Sequence, residues 1–236
     1  RETGPSTERW TPLEEIAPLL PLAVMAQEDG GFYRHQGIST YHLRGSLVLN
    51  MSKGRFARGG STITMQLARN LFLNRRKTLS RKLEELVLAW LLERKFEKDE
   101  LMALYLNVVE FGPEIFGVKD ATAHYFGKAP AELTPPEVAW LVRLLPSPRP
   151  LYVHFERRKL SAGHTRSINR LLAYLVKKGY LDPEDYEEIG PEDLFPPLGV
   201  AVGAPEATED DGGVDPTGPG VIPAPSPEIV DQLDSP

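Results

Sequence analysis

Two adjacent carboxylates, Glu28 and Asp29, open the segment EDGGFYRHQG at residues 28–37. An apolar stretch at residues 22–26 precedes them, so we expect a buried helix to end here in a glycine-rich loop. Desolvation at such a boundary favours the neutral form of a carboxylate, which suits a general base. The alternative is a solvated helix end, with His35 making only a local hydrogen bond.

A second segment, GGSTITMQLARN at residues 59–70, offers groups that suit an anion. Its Gly-Gly-Ser turn leads into a predicted helix, so backbone N–H groups and the Ser61 hydroxyl could bind a phosphate. It is not a Walker A loop, because Gly-x4-Gly-Lys-Ser/Thr is absent. Gln66 and Asn70 share one helix face with Arg69 beside them. A capped amphipathic helix with a polar stripe is the alternative interpretation.

A third segment, SRKLEE at residues 80–85, brings opposite charges together. Glu85 follows Arg81 by four residues and Lys82 by three, so the three side chains can cluster on a helix. The next seven residues, LVLAWLL, are all apolar and predict a buried helix. Glu85 would project opposite an apolar stripe of Leu83, Leu86, Val87 and Trp90. A carboxylate on a buried helix is paired or functional, and a structural ion pair with Arg81 is the alternative.

The surrounding sequence predicts helices almost throughout. Capping boxes begin at Thr11 and Thr134, Ser61 can cap a helix, and Gly179 is a predicted C-cap. Apolar spacing predicts helices at residues 22–28, 62–73, 79–96, 100–109, 135–145 and 156–178. Strand-like alternation is scarce, so the predicted fold class is mainly α.

Charge divides the chain of 236 residues into two parts. Residues 1–181 hold 27 basic and 18 acidic side chains, whereas residues 182–236 hold 15 acidic and no Lys or Arg side chains. We therefore predict a folded domain at residues 1–202 and a disordered acidic Pro/Gly-rich tail at 203–236. The tail is a solvated linker or an arm that screens a basic site.

Residues 34–100 carry 14 basic and 6 acidic side chains, which favours a pyrophosphate, another polyanion or an anionic lipid surface as ligand. Charge alone is also compatible with nucleic acid as ligand, but no nucleic-acid-binding motif is found.

The absence of cysteine excludes disulfide scaffolds and Cys-ligated zinc. No apolar run near the N-terminus reaches the ~20 residues of a membrane span. The chain begins at Arg1 rather than Met, and the sequence leaves open whether a signal or anchor helix has been removed from it.

Taken together, the three segments resemble the peptidoglycan glycosyltransferases. The matching patterns are E-D-x-x-F-x-x-H-x-G, then G-G-S-T-I-T-x-Q-L-x-R-N, then R-K-x-x-E, in this order. ELMALYLNVVEFG with FGVKDATAHYFGK resembles the family's fourth motif, and EVAWLVRLLPSPRPLY resembles the fifth. The resemblance spans about residues 13–180 and is stronger to the monofunctional transglycosylases than to the N-terminal domain of class A penicillin-binding proteins.

The resemblance implies a lysozyme-like helical lobe and a smaller, membrane-contacting jaw lobe at about residues 37–58. It implies polymerisation of lipid II into glycan strands, with inversion and undecaprenyl pyrophosphate as leaving group. The expected location is the outer, periplasmic face of the bacterial cytoplasmic membrane. Expected partners are lipid II, the growing glycan, the membrane surface and other cell-wall synthesis proteins, but not nucleic acid.

Residue roles carry over by motif. Glu28 is the expected general base and Glu85 the second catalytic carboxylate. The resemblance assigns substrate and pyrophosphate binding to Asp29, Ser61, Gln66, Arg69, Asn70, Lys77, Arg81 and Lys82. It assigns supporting positions behind the site to His35, Tyr105 and Asn107. No cofactor is required and the sequence has no dedicated metal cage, although Mg²⁺ or Mn²⁺ could assist at the pyrophosphate.

Several residues depart from the family pattern. Arg69 stands where Lys is common, Met65 replaces a frequent Gln, Gly30 and Gly31 loosen the first motif, and Ser39 replaces an acid. A transpeptidase domain is excluded, because Ser-x-x-Lys and Lys-Thr-Gly are absent. A lysozyme-like glycan hydrolase that uses Glu28 as acid, and a silent scaffold that binds lipid II or glycan, remain as alternatives.

Overall fold

A computed structural model describes residues 4–39, 60–73 and 79–195. In these residues the chain forms eight α-helices, which are α1 Leu19–Glu28, α2 Ile63–Phe72, α3 Leu79–Lys95, α4 Lys98–Val108, α5 Val118–Phe126, α6 Pro135–Leu144, α7 Pro148–Glu156 and α8 Ala162–Lys177. A short antiparallel ribbon pairs β1 Glu110–Gly112 with β2 Ile115–Phe116. The predicted mainly α class is confirmed.

Two helix packings position the site. Helix α6 lies between α1 and α8, and it is buried along most of its length, with Trp140 and Leu141 fully buried. Helix α2 packs against α3 and α4. The amphipathic pattern of α2 gives it a buried side that includes Ile63 and Leu67. The C-terminal end of α1 and the N-terminal end of α2 are joined by side-chain hydrogen bonds, so the two packings meet at residues 28–29 and 61–66.

The predicted helix cap at Thr11 is wrong. The backbone N–H of Thr11 donates to Asn107 Oδ1 at 2.8 Å, and Asn107 Nδ2 donates back to the Thr11 carbonyl at 2.8 Å. This pairing holds Thr11 in an extended connection, and only the 3₁₀ turn Leu13–Glu15 follows it. The cap at Thr134 is confirmed, because its N–H donates to Glu137 Oε2 at 2.8 Å.

The helix predicted at residues 156–178 is interrupted. Arg158 has a φ of 49°, a left-handed conformation that ends α7, and the Ser161 hydroxyl then caps α8 by accepting from His164 N. The predicted C-cap at Gly179 is confirmed, with a φ of 69° and bonds from Gly179 N and Tyr180 N back to the last turn of α8.

Helix α3 exposes apolar residues that the sequence predicts to be buried. Leu83, Val87 and Trp90 are 60%, 57% and 45% exposed, whereas Glu85 is 1% exposed. The opposite face is the buried one, and it carries the small side chain of Ala89. A Cβ at Gly37 would lie 3.1 Å from the Ala89 carbonyl oxygen, so the backbone after the first motif rests directly on α3.

Part of the predicted organisation lies outside the described residues. These parts are residues 40–58 of the predicted jaw, Lys77, and the whole predicted tail at 203–236. Within the described residues, none of the helices combines the length and apolar character needed to cross a membrane.

Candidate active site

The Glu28 carboxylate lies at the last residue of α1, between two glutamine amides. Gln27 Nε2 donates to Glu28 Oε1 at 3.0 Å, and Gln66 Nε2 donates to Glu28 Oε2 at 3.0 Å. The first contact comes from the neighbouring residue and the second from the α2 helix. Both carboxylate oxygens are therefore held, while each keeps lone-pair capacity for one more hydrogen bond.

A further donor stands behind each amide. Tyr105 on α4 donates its hydroxyl to Gln66 Oε1 at 3.2 Å, and Arg143 Nη1 on α6 donates to Gln27 Oε1 at 2.7 Å. We call Glu28, Gln27, Gln66, Tyr105 and Arg143 the carboxylate centre. Its five members come from α1, α2, α4 and α6, so the packing of four helices fixes its geometry.

Electrostatic effects are consistent with this arrangement. Burial raises the pKa of the Tyr105 hydroxyl well above its usual range, and the negative charge of Glu28 raises it further. Tyr105 is therefore a neutral phenol that donates a hydrogen bond to Gln66 Oε1. Burial lowers the pKa of the Arg143 guanidinium, and the Glu28 carboxylate acts in the opposite direction. Arg143 thus lies within electrostatic range of Glu28.

Asp29, the neighbouring carboxylate, turns away into the protein and is fully buried. Both of its oxygens lie 2.9 Å from His35 Nε2, and Oδ2 also accepts from Ile63 N at 3.1 Å. Ile63 is the first residue of α2, so the carboxylate occupies the positive end of that helix. The expectation of free N–H groups for a phosphate here is wrong at Ile63, because the protein supplies its own anion.

The N-cap of α2 is Thr62, and the predicted cap at Ser61 is wrong. Thr62 Oγ1 accepts from Met65 N at 3.2 Å and donates to the Gly37 carbonyl at 2.6 Å. Thr62 therefore also joins the first motif to the second. The Ser61 hydroxyl is left to accept from Lys82 Nζ at 2.8 Å.

The predicted cluster of Arg81, Lys82 and Glu85 is confirmed. Lys82 Nζ lies 2.7 Å from Glu85 Oε2, and Arg81 Nη1 lies 3.3 Å from Glu85 Oε1. The Glu85 side chain is 1% exposed, whereas those of Arg81 and Lys82 are 17% and 36% exposed. We call these three residues with Ser61 the cation centre. It holds two positive charges, on partly exposed side chains, next to one buried carboxylate.

Comparison with known proteins gives the family of this chain. The Transglycosylase family profile matches residues 1–172. The chain belongs to the Transglycosylase family. A "Biosynthetic peptidoglycan transglycosylase" of Dechloromonas aromatica is 37% identical over 166 residues, which is 70% of each chain. One of the same name from Laribacter hongkongensis is 38% identical over 178 residues, 74% of this chain and 78% of that one. "Penicillin-binding protein 1A" of Aquifex aeolicus is 41% identical over 182 residues, 76% of this chain and 24% of that one.

The remaining residues predicted from the transglycosylase motifs have different surroundings. Arg69 is half-buried, and its charge acts on the Tyr105 hydroxyl, so it lies beside the carboxylate centre. Asn70 is exposed on α2. Asn107 is bonded to Thr11 and to the Ala103 carbonyl, and its described hydrogen bonds support the N-terminal segment.

Two members of the carboxylate centre were not predicted from the transglycosylase motifs. Gln27 directly precedes Glu28, and Arg143 lies within the fifth motif. A signal was present for Arg143, because it is the only charged residue between Glu137 and the end of its apolar helix. Gln27 had no such signal, since a glutamine at a helix end is common on protein surfaces.

Proposed function

We propose that this chain polymerises lipid II into the glycan strands of peptidoglycan, as a monofunctional enzyme. The names of its relatives support this proposal, and one structural observation carries it. A carboxylate held for proton transfer and a pair of surface cations are connected through the first turn of a single helix, α2. Glycosyl transfer from a pyrophosphate needs a base and a positively charged leaving-group site.

In the proposed step, the 4-hydroxyl oxygen of the acceptor sugar attacks the anomeric carbon of the donor glycan. The bond from that carbon to the pyrophosphate oxygen breaks as the new glycosidic bond forms, and the configuration inverts. Glu28 accepts the hydroxyl proton, and the bonding electrons leave with undecaprenyl pyrophosphate. Hydrogen bonds to both carboxylate oxygens hold Glu28 in one orientation for this transfer.

The departing pyrophosphate gains negative charge, which Arg81 and Lys82 are placed to stabilise. Glu85 is too deeply buried to contact the substrate in this arrangement, and we assign it the task of holding the two cations. Arg69, and Lys77 outside the described residues, would add positive charge. Within the described ranges, no group of three or more His, Cys, Asp or Glu side chains is arranged so that it could hold a metal ion. A Mg²⁺ or Mn²⁺ ion would therefore take most of its ligands from the pyrophosphate.

We further propose that the exposed face of α3 contacts the membrane in which lipid II resides. Leu83, Val87, Trp90 and Leu91 follow helical spacing and are 60%, 57%, 45% and 48% exposed. Arg94 lies 4.7 Å from the Trp90 ring centroid, and this aromatic–cation pair suits a headgroup region. Arg81 and Lys82 of the cation centre lie on the same helix, which would place pyrophosphate binding close to headgroup depth.

Vesicle sedimentation tests the membrane contact. We expect the parent chain to bind vesicles that contain phosphatidylglycerol and Val87→Ser with Leu91→Ser to bind several-fold more weakly. Tyr174→Ser, which removes an exposed aromatic side chain from α8, is the matched control. Equal binding of all three proteins would refute a membrane contact through α3.

Incubation with labelled lipid II in detergent, followed by gel separation of the glycan, tests the proposed reaction. We expect polymer from the parent and none from Glu28→Gln, which keeps the size of the side chain but cannot accept the proton. Glu15→Gln makes the same change at an exposed position and should leave polymerisation intact. If pre-formed glycan is shortened, the hydrolase alternative is correct, and binding without turnover would favour the scaffold alternative.

A further inference from the structure

We infer that Gln27 and Arg143 are positioning residues for the proposed base, Glu28. The inference rests on the proposed function and adds to it two residues that the motifs do not assign. The described hydrogen bonds connect Arg143 to the carboxylate through Gln27, whose amide bonds to both. The pair forms a relay that joins α6 to the last turn of α1.

The amide of Gln27 has one orientation that satisfies its neighbours. Its oxygen accepts from Arg143 Nη1 at 2.7 Å, and its nitrogen donates to the Val142 carbonyl at 2.8 Å and to Glu28 Oε1 at 3.0 Å. A flipped amide would set its oxygen against two acceptors and its nitrogen against the guanidinium. All three neighbours therefore favour the same orientation of the Gln27 amide group.

Arg143 is itself anchored away from the carboxylate. Its Nη2 donates to the Ser167 hydroxyl on α8, while Nη1 donates to Gln27. The guanidinium is planar and rigid, so two contacts on different nitrogens fix its plane. The relay thus extends from α8 through α6 to α1, and it is set by helices that pack on one another.

The relay restrains the terminal side-chain torsion of Glu28, which sets the orientation of the proposed base. The terminal torsion of a glutamate side chain is broad, so an isolated carboxylate rotates easily. Gln66, with Tyr105 behind it, holds one oxygen, and Gln27, with Arg143 behind it, holds the other. Loss of either amide would leave the carboxylate held on one side only.

The kinetic signature follows from how the relay uses its polar atoms. Every polar hydrogen of the Gln27 amide and its oxygen are already bonded within the protein, so the residue offers the substrate little additional binding. Its removal should therefore lower kcat and leave KM nearly unchanged. A merely structural role would lower the amount of folded enzyme and leave the kcat of the folded fraction unchanged.

Steady-state polymerisation kinetics on purified variants test the inference, with folding checked by thermal unfolding. Gln27→Met keeps the side-chain volume and removes the amide, and we expect kcat to fall roughly tenfold or more with KM within about twofold. Arg143→Met should have a similar effect, and Arg143→Lys should recover part of the loss. Arg170→Ala is the charge control, because it removes a nearby exposed cation that makes no contact in the relay, and it should match the parent.

The double variant decides whether Arg143 acts through Gln27. If it does, Gln27→Met with Arg143→Met should be no slower than Gln27→Met alone. Additive losses, a change in KM alone, or a parent-like kcat in Gln27→Met would each overturn the inference while leaving the proposed function intact. A parent chain that makes no polymer, or an active Glu28→Gln, would instead overturn the proposed function and this inference with it. If Arg143→Met does not fold, the Gln27→Met and Arg143→Lys results decide alone.

Discussion

Replacement of Glu85 by glutamine tests whether the buried carboxylate organises the cation centre. Removing one partner of a fully buried ion pair costs about 3–5 kcal/mol. The cost here is smaller, because Lys82 is 36% exposed and can be solvated by water once the carboxylate charge is gone. Arg81, at 17% exposed, is less able to do so. We therefore expect Glu85→Gln to lower the free energy of unfolding by about 2–3 kcal/mol.

Urea unfolding followed by circular dichroism measures this loss, with Glu84→Gln as control. Glu84 is the exposed neighbour on the same helix turn, and its replacement should change stability by less than about 0.5 kcal/mol. At a temperature where both variants are folded, we also expect polymerisation by Glu85→Gln to fall roughly tenfold, since Lys82 loses its 2.7 Å partner. A stable and fully active Glu85→Gln would refute the assigned task of Glu85, and a destabilised but fully active one would make the ion pair purely structural.

Three further predictions concern the cap, a half-buried histidine and metal dependence. Thr62→Ala should lower the free energy of unfolding by about 2 kcal/mol, because the hydroxyl makes two buried hydrogen bonds; Thr62→Ser, which keeps them, should lose far less in the same urea titration. Burial, and then the charges of His154 and Arg143, lower the pKa of His164 in the folded chain below its ordinary value of 6.5. Around and below pH 6.5 the unfolded chain therefore binds more protons at this histidine than the folded chain does. Stability should therefore be full well above pH 6.5 and fall as the pH drops through and below that value, and by less in His164→Phe; an equal fall in both proteins would contradict this assignment. Chelation of divalent ions by EDTA should leave measurable polymerisation in the gel assay, whereas a complete loss restored by Mg²⁺ would show that a metal is required.

The sequence was sufficient for the class of fold and for the local clusters. Arg81, Lys82 and Glu85 meet because helical spacing alone brings residues three and four apart together. Gly179 ends its helix because a left-handed position strongly favours glycine. These predictions depend on interactions within one or two helix turns, which the sequence specifies directly.

The orientation of α3 could not be predicted in the same way. Its apolar residues cover most of the helix surface, so hydrophobicity did not identify the face that packs on α2. The inward face carries the small Ala89 and the ion-paired Glu85, and the chain at Gly37 packs so closely on the Ala89 backbone that a Cβ at Gly37 would lie 3.1 Å from the Ala89 carbonyl oxygen. Such a choice depends on a tertiary contact between residues far apart in sequence.

The start of α2 explains why the motifs occur together. Ile63 N is bonded to Asp29, Thr62 is bonded to the carbonyl of Gly37, and Ser61 is bonded to Lys82. Three consecutive residues of the second motif thus hold two positions of the first motif and one of the third. Gln66, one turn later, reaches Glu28 itself. The proposed base and a cation of the proposed leaving-group site are thus both bonded to residues at the start of α2, so this one element contributes to the separation between them.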